Sequence, residues 1–210
     1  MFPAIALRLR KGITLAAKDP KLFIRFAAGR WERYAVFSLD PGGVSPPADL
    51  GCDYQFRFLA DPELRDLCAN GPEFLYYRRR LAWFGCSNVY ALFCRGELAH
   101  LASLVSPQQD RRLPLRLIRL QDGEAEIAAC LTMPAFRGRG LYPYVIRRLC
   151  WIAAQQGVER VLMTTMAGNK ASRRGIEKAG FHCCGYTYRI ILPGFPYHSG
   201  LLYRWRKTNS

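Results

Sequence analysis

Polar and apolar positions alternate weakly along residues 54–59, the period of a strand. Asp61 with Pro62, and Gly71 with Pro72, each open a helical stretch, the second running to about Phe84. Residues 88–94 and 98–105 are β-rich and flank Arg95 and Gly96, which predicts a hairpin. Leu alternates with Arg along 113–120, and a further strand is expected there. Asp122 and Gly123 mark a turn into a strand over 124–132. Beyond it the period changes. Leu141, Val145, Leu149 and Ile152 recur at helical spacing, with Gly157 placed to cap the end. A buried strand follows over 158–165, then a helix over 169–179 closed by Gly180. A strand over 181–191 and a last one over 201–205 complete the chain.

Residues 1–34 read differently. Arg8, Arg10, Lys11, Lys18, Lys21, Arg25, Arg30 and Arg33 stand against only Asp19 and Glu32, interleaved with Ile5, Leu7, Ile13, Leu15, Leu22, Phe23, Ile24 and Phe26. Asp19 followed by Pro20 predicts the start of a second short helix. Two uses of such basic amphipathic helices stay open. They can pack on the domain and show their charges to water, or lie peripherally on an anionic membrane. Breakers cluster from Asp40 to Gly43 and from Ser45 to Pro47. The expected organisation is a basic helical extension and linker over residues 1–45 and one domain over 46–210.

Composition narrows the class. With half of 210 residues hydrophobic, the chain is long enough to bury a core. It holds no apolar run long enough to span a bilayer. Its first residues place apolar side chains before charges, the wrong order for a secretory signal, so a cytoplasmic protein is expected. The eight cysteines lack zinc-ligand spacing, and Cys94, Cys130 and Cys150 sit in apolar segments, so no metal and no disulfide are expected. The net charge of +15 calls for an acidic partner: nucleic acid, anionic lipid, an acidic carrier protein or a polyphosphate cofactor. No DNA- or RNA-reading motif accompanies the charge, which argues against nucleic acid.

The stretch that bears chemistry lies between the strand at 124–132 and the helix at 141. Pro134 ends the strand, and Arg137, Gly138, Arg139 and Gly140 form a short loop running straight into the helix. Glycines let such a loop turn its N–H groups outward, and a helix N-terminus adds partial positive charge, so a pyrophosphate site is expected. The loop has neither the Gly-Lys-Ser/Thr ending of a Walker loop nor the Gly-x-Gly-x-x-Gly spacing of a dinucleotide-binding turn.

This loop, with Asn169 opening a second helix that ends in Gly180 and Phe181, resembles the acetyl-CoA motifs of the GNAT superfamily of CoA-dependent N-acyltransferases. The resemblance covers about residues 86–191. It implies an α/β (α+β) fold with a central mixed, mostly antiparallel sheet flanked by helices, acetyl-CoA or another acyl thioester as co-substrate, and a primary amine of a small molecule as acceptor. It also implies roles. Backbone groups of Cys130, Leu131 and Thr132 face the pantetheine arm and the thioester. Amides of Arg137, Gly138, Arg139, Gly140, Leu141 and Tyr142 cradle the pyrophosphate. Asn169 bonds the pantetheine arm, and Ser172 and Arg173 lie near the far end of the cofactor. Glu126 is the candidate base, with Glu124, two residues earlier on the same strand face, in reserve.

Two positions depart from the family pattern. Tyr142 stands where a small residue is usual, either narrowing the pyrophosphate pocket or changing only the loop. Ile176 stands where many members carry the Tyr that protonates the leaving thiolate. Either Tyr186, Tyr188 or Cys183 substitutes, or the thiolate leaves without a dedicated acid. The donor is acetyl-CoA or, in keeping with the basic charge, a long acyl chain on an acidic acyl carrier protein. A non-catalytic acyl-CoA-binding protein is the alternative outside enzymes. His100, His182 and His198 are expected to be structural.

Overall fold

The computed structural model describes residues 30–74, 77, 88–110, 117–191 and 206–207. Eight strands form one sheet: β1 (Arg30–Leu39), β2 (Tyr54–Leu59), β3 (Val89–Cys94), β4 (Glu97–Val105), β5 (Glu124–Thr132), β6 (Arg160–Met166), β7 (His182–Ile191) and the short β8 (Arg206–Lys207). Their order across the sheet is β2-β3-β4-β5-β6-β1-β7-β8. Among the described residues only β5 and β6 pair in parallel, so the sheet is mixed and mostly antiparallel. The helices are α1 (Asp61–Leu67), α2 (Pro107–Asp110), α3 (Leu141–Gln155) and α4 (Lys170–Lys178). Among the described residues no helix is long and apolar enough to cross a membrane.

The local signals work where they were clearest. Arg95 and Gly96 take positive φ at the tip of the β3–β4 hairpin, as a two-residue turn with the twist of its strands requires. The helical period from Leu141 places Leu141, Val145 and Leu149 on the buried face of α3. There they meet Phe37, Ile127 and Met163 of the sheet, together with Ile176 of α4. Burying side chains of this size stabilises by about 1.5–3 kcal/mol each. On the opposite face, Leu64 of α1 and Phe74 pack on Leu59, Val89 and Leu101.

Two expectations are corrected. Residues 30–39 do not belong to a helical extension. They form β1, which lies inside the sheet and pairs antiparallel with β6 on one side and β7 on the other. The run Tyr34, Ala35, Val36, Phe37 is buried on both faces, as a central strand requires. One charge that made this segment look exposed is absorbed: Glu32 is buried and accepts bonds from Arg189 of β7 at 2.6 Å and from the Tyr34 hydroxyl at 2.6 Å. The sheet domain therefore begins at or before residue 30. Residues 1–29, and with them the expected helices and membrane contact, lie outside the described residues.

The strand expected over 113–120 is the second correction. Residues 111–116 are not described, and 117–120 are not a strand. Ile118 and Leu120 are buried instead by packing on Val36, Val105 and Leu162. The helix expected from Gly71 opens with a 3-10 turn at Pro72–Phe74, and Tyr77 beyond it is helical. Most of its further course, like the strand expected at 201–205, falls outside the described residues.

Candidate active site

The site is a wedge opened between β5 and β6. These strands pair only from Glu124 to Glu126, opposite Arg160 to Leu162. Beyond that point β5 follows β4 as far as the His100–Thr132 pair, while β6 follows β1 as far as the Tyr34–Met166 pair. The first half of β5 is buried and its second half only partly so. Within that second half the register with β4 shifts between Leu101 and Ser103, and Ala129 adopts φ 56°. Ala129 and Cys130 together face Ala102, a bulge that leaves an extra backbone unit without a cross-strand partner. A non-glycine residue in this conformation costs about 1–2 kcal/mol. The buried Tyr77 hydroxyl donates to the Ala129 carbonyl and holds the bulge in place.

At the open end of the wedge, Pro134–Phe136 makes one 3-10 turn and the chain bends into α3. Gly138 and Gly140 have φ 78° and 74°, and a Cβ at either would point into open space. Gly140 is the N-cap of α3, so the first N–H groups of a 15-residue helix face outward beside it. Arg137 Nε donates to the Thr132 carbonyl at 3.3 Å, and the Arg139 guanidinium lies 5.1 Å from the Phe136 ring centroid. Both cations are thus held next to the bend. Exposed amides, room at both glycines and two fixed positive charges suit a diphosphate, so the residues present fit the coenzyme A expected here.

The two carboxylates differ in role. Glu124 is ion-paired with Arg160 and accepts from the Gln121 amide at 2.9 Å, tying the turn before β5 to the start of β6. Glu126 occupies the last paired position, the apex of the wedge. Its side chain is buried on the face opposite α3, with Val105 and Leu162 as register neighbours, and its Oε1 accepts from the Thr164 hydroxyl at 3.1 Å.

The second helix brings its assigned residues to the same opening. Asn169 caps α4 by accepting from the Ser172 amide at 3.0 Å, which leaves its Nδ2 as a donor. Arg173 turns back, donating to the Ala167 carbonyl at 3.4 Å, with Glu177 at 4.0 Å. Ser172 shares a 3.1 Å hydrogen bond with the Tyr142 hydroxyl. The Tyr142 ring packs against Gly175 of α4. The ring also stacks on His100, with centroids 5.8 Å apart. His100 is fully buried and bonds Thr132 Oγ1 through Nδ1 at 2.8 Å, while its Nε2 has no partner. Burial pushes the imidazole down to about 3, so it is neutral. Burial likewise pushes the Cys130 thiol up to about 12, keeping it protonated.

The structure sets the β7 residues apart. Because β1 lies between β6 and β7, Tyr186, Tyr188 and Cys183 stand two strand spacings, about 10 Å, beyond β6. Tyr186 lies under the Arg33 guanidinium, 3.7 Å from its ring centroid. Sequence reasoning missed the hold of Tyr77 on the bulge. It also missed Thr164, whose contact with Glu126 joins strands far apart in the chain.

The fold is similar to several solved structures. A GNAT-family acetyltransferase from Colwellia psychrerythraea matches with TM-score 0.53 at 17% identity, over 77% of this chain and 56% of that one. An N-acetyltransferase from Sphaerobacter thermophilus matches with TM-score 0.54 at 13% identity, over 85% and 58%. The glucosamine N-acetyltransferase region of a fungal multi-domain β-N-acetylglucosaminidase matches with TM-score 0.60 at 15% identity, over 80% and 22%. At these identities the likeness shows the fold, and this chain spans less than two thirds of the length of each. No curated protein sequence matches. The family model of the GNAT acetyltransferase domain matches residues 53–182, more than half of the chain, and the chain belongs to that family.

Proposed function

We propose that this protein transfers an acyl group, most simply acetyl, from a coenzyme A thioester to a primary amine of a small molecule. The observation that carries the reading is the wedge itself. It opens at a glycine-bearing helix N-terminus suited to a diphosphate and closes on a buried carboxylate, Glu126. A thioester arm laid along the second half of β5 brings its carbonyl to the Ala129–Cys130 bulge, where a backbone N–H turned out of the regular ladder would stabilise the oxyanion of the tetrahedral intermediate. The acceptor enters from the face on which Glu126 lies. Glu126 accepts the amine proton, directly or through a water, and Thr164 holds the carboxylate in place. Glu124, bound by Arg160 and the Gln121 amide, supports the strand.

A second donor is favoured by charge. Arg137, Arg139, Lys170 and Arg174 are exposed around the mouth of the wedge, which suits an acyl chain delivered by an acidic carrier protein. The test is release of free thiol from acetyl-CoA against a panel of amines, with the amide product identified by mass. Amide formed in step with thiol supports acetyl transfer. Turnover only with a carrier-borne long chain moves the assignment to the second donor, and tight CoA binding without turnover from any donor contradicts both.

A further inference from the structure

On the face that carries Glu126, the sheet opens outward along β6: Leu162 is buried, Thr164 half-buried and Met166 exposed. Side chains two apart on a strand share a face, so these three mark a path from the apex of the wedge to solvent. β1 runs beside them. Its Val36 pairs with Thr164 and its Tyr34 with Met166, and Glu32 follows two residues further out on the same face. Opposite Glu32 stands Arg189 of β7. This guanidinium is fixed at one end. Its Nε and Nη2 donate to the buried Glu32 carboxylate at 3.2 and 2.6 Å, and Nη2 also donates to the Tyr34 hydroxyl at 2.7 Å. Its Nη1 has no partner among the described residues, and the side chain is 38% exposed. A buried ion pair adds little net stability, but it does hold an arginine still, so that donors left over lose little freedom on meeting an anion.

We propose that Arg189 binds a carboxylate of the acceptor, and that the acceptor is a linear molecule with its amine at one end and that carboxylate at the other; this rests on the acyl-transfer reading above. The amine meets Glu126 and Thr164 at the apex. Tyr34 and Arg189 lie at least two residues further along the sheet, a span of at least about 7 Å. The amine and carboxylate of an α-amino acid stand on one carbon and cannot cover it, whereas an ω-amino acid of about six carbons can. Its methylenes would cross Met166, which is 48% exposed on that path and offers them an adaptable apolar surface. One negative charge fits better than two. Glu32 already offsets the charge of Arg189, so a phosphate dianion would meet a pair that is neutral overall, while a carboxylate needs only the open Nη1 donors.

The test is acyl transfer by the full-length protein, from whichever thioester it turns over, to three acceptors: ε-aminocaproate, its neutral amide ε-aminocaproamide, and norleucine, the α-amino isomer. For the wild type, kcat/KM with ε-aminocaproate should exceed that with either of the others by about 10- to 100-fold, the range for a hydrogen bond to a charged group, chiefly through KM. The Glu32→Gln, Arg189→Gln double variant removes both charges together, so that no unpaired charge is left buried. Its preference for the acid over the amide should vanish. A pair with a structural role alone would slow both acceptors alike and leave the preference in place. Equal use of acid and amide by the wild type, a preference for norleucine, or an acid preference that survives in the double variant overturns the proposal and leaves acyl transfer standing. A wild-type protein that acylates no amine from any thioester overturns the acyl-transfer reading, and this proposal with it.

Discussion

A Cβ built on Gly175 would stand 2.6 Å from Cε1 of Tyr142 and closer still to Cδ1, so the large residue at 142 and the glycine at 175 are a matched pair. Gly175→Ala should destabilise by about 1–3 kcal/mol through overpacking, partly offset by about 1 kcal/mol of helix propensity within α4. The Tyr142→Ala, Gly175→Ala double variant should show non-additive coupling, because the second change relieves the clash. Denaturant melts of the three variants check this, and strictly additive losses would contradict the contact.

Glu126→Gln should lower kcat by about 10- to 10,000-fold while CoA affinity is kept, since the carboxamide retains the shape and the Thr164 contact but cannot accept a proton. Glu124→Gln should act on melting temperature rather than on turnover, because it weakens the Arg160 pair at the turn before β5. Steady-state rates beside thermal melts separate the two. A larger turnover loss in Glu124→Gln would exchange their roles.

His100 sets a pH dependence. Its folded value of about 3 lies below the ordinary imidazole value of 6.5, so the unfolded chain binds more protons between these limits. The stability contributed by the neutral ring is complete above about pH 6.5 and is lost as pH falls toward 3. By linkage, about 2–3 kcal/mol should be lost from this group between pH 7.5 and pH 4.5. His100→Gln, which can still bond Thr132, should flatten that part of the profile. Parallel stability profiles in the variant and the wild type would contradict the buried neutral state.

Much of this was legible where the signal is local. The hairpin at Arg95 and Gly96, the period of α3 and the Asn169 cap each depend on neighbours a few residues apart, and all take the expected form. β1 was not legible, because Glu32 reads as surface until Arg189, far along the chain, comes to lie beside it. Ile118 and Leu120 have the alternation of a strand, yet they are buried by a segment without strand pairing, a tertiary effect that periodicity does not carry. Glu126 was named as a candidate from the family resemblance of its strand, and no local pattern shows its contact with Thr164. The place of Tyr142 was not legible either, since its side chain could point at the loop or at α4, and only the absence of a side chain at Gly175 decides between them.

The bend before α3 makes its own prediction. Gly140→Ala adds a methyl into open space, so the neighbours tolerate it and the cost to folding is the about 1–2 kcal/mol of a left-handed alanine. The same methyl would stand where the diphosphate approaches. Arg137→Ala removes a charged donor worth about 1.5–3 kcal/mol, or about 10- to 100-fold in affinity, less at high salt.

Calorimetric titration of the full-length protein with coenzyme A tests the central claim most directly. Saturable heat at one site, weakened in Gly140→Ala and Arg137→Ala and by added salt, is the predicted result. A flat titration of the wild type, with no rise in melting temperature at saturating coenzyme A, would contradict it.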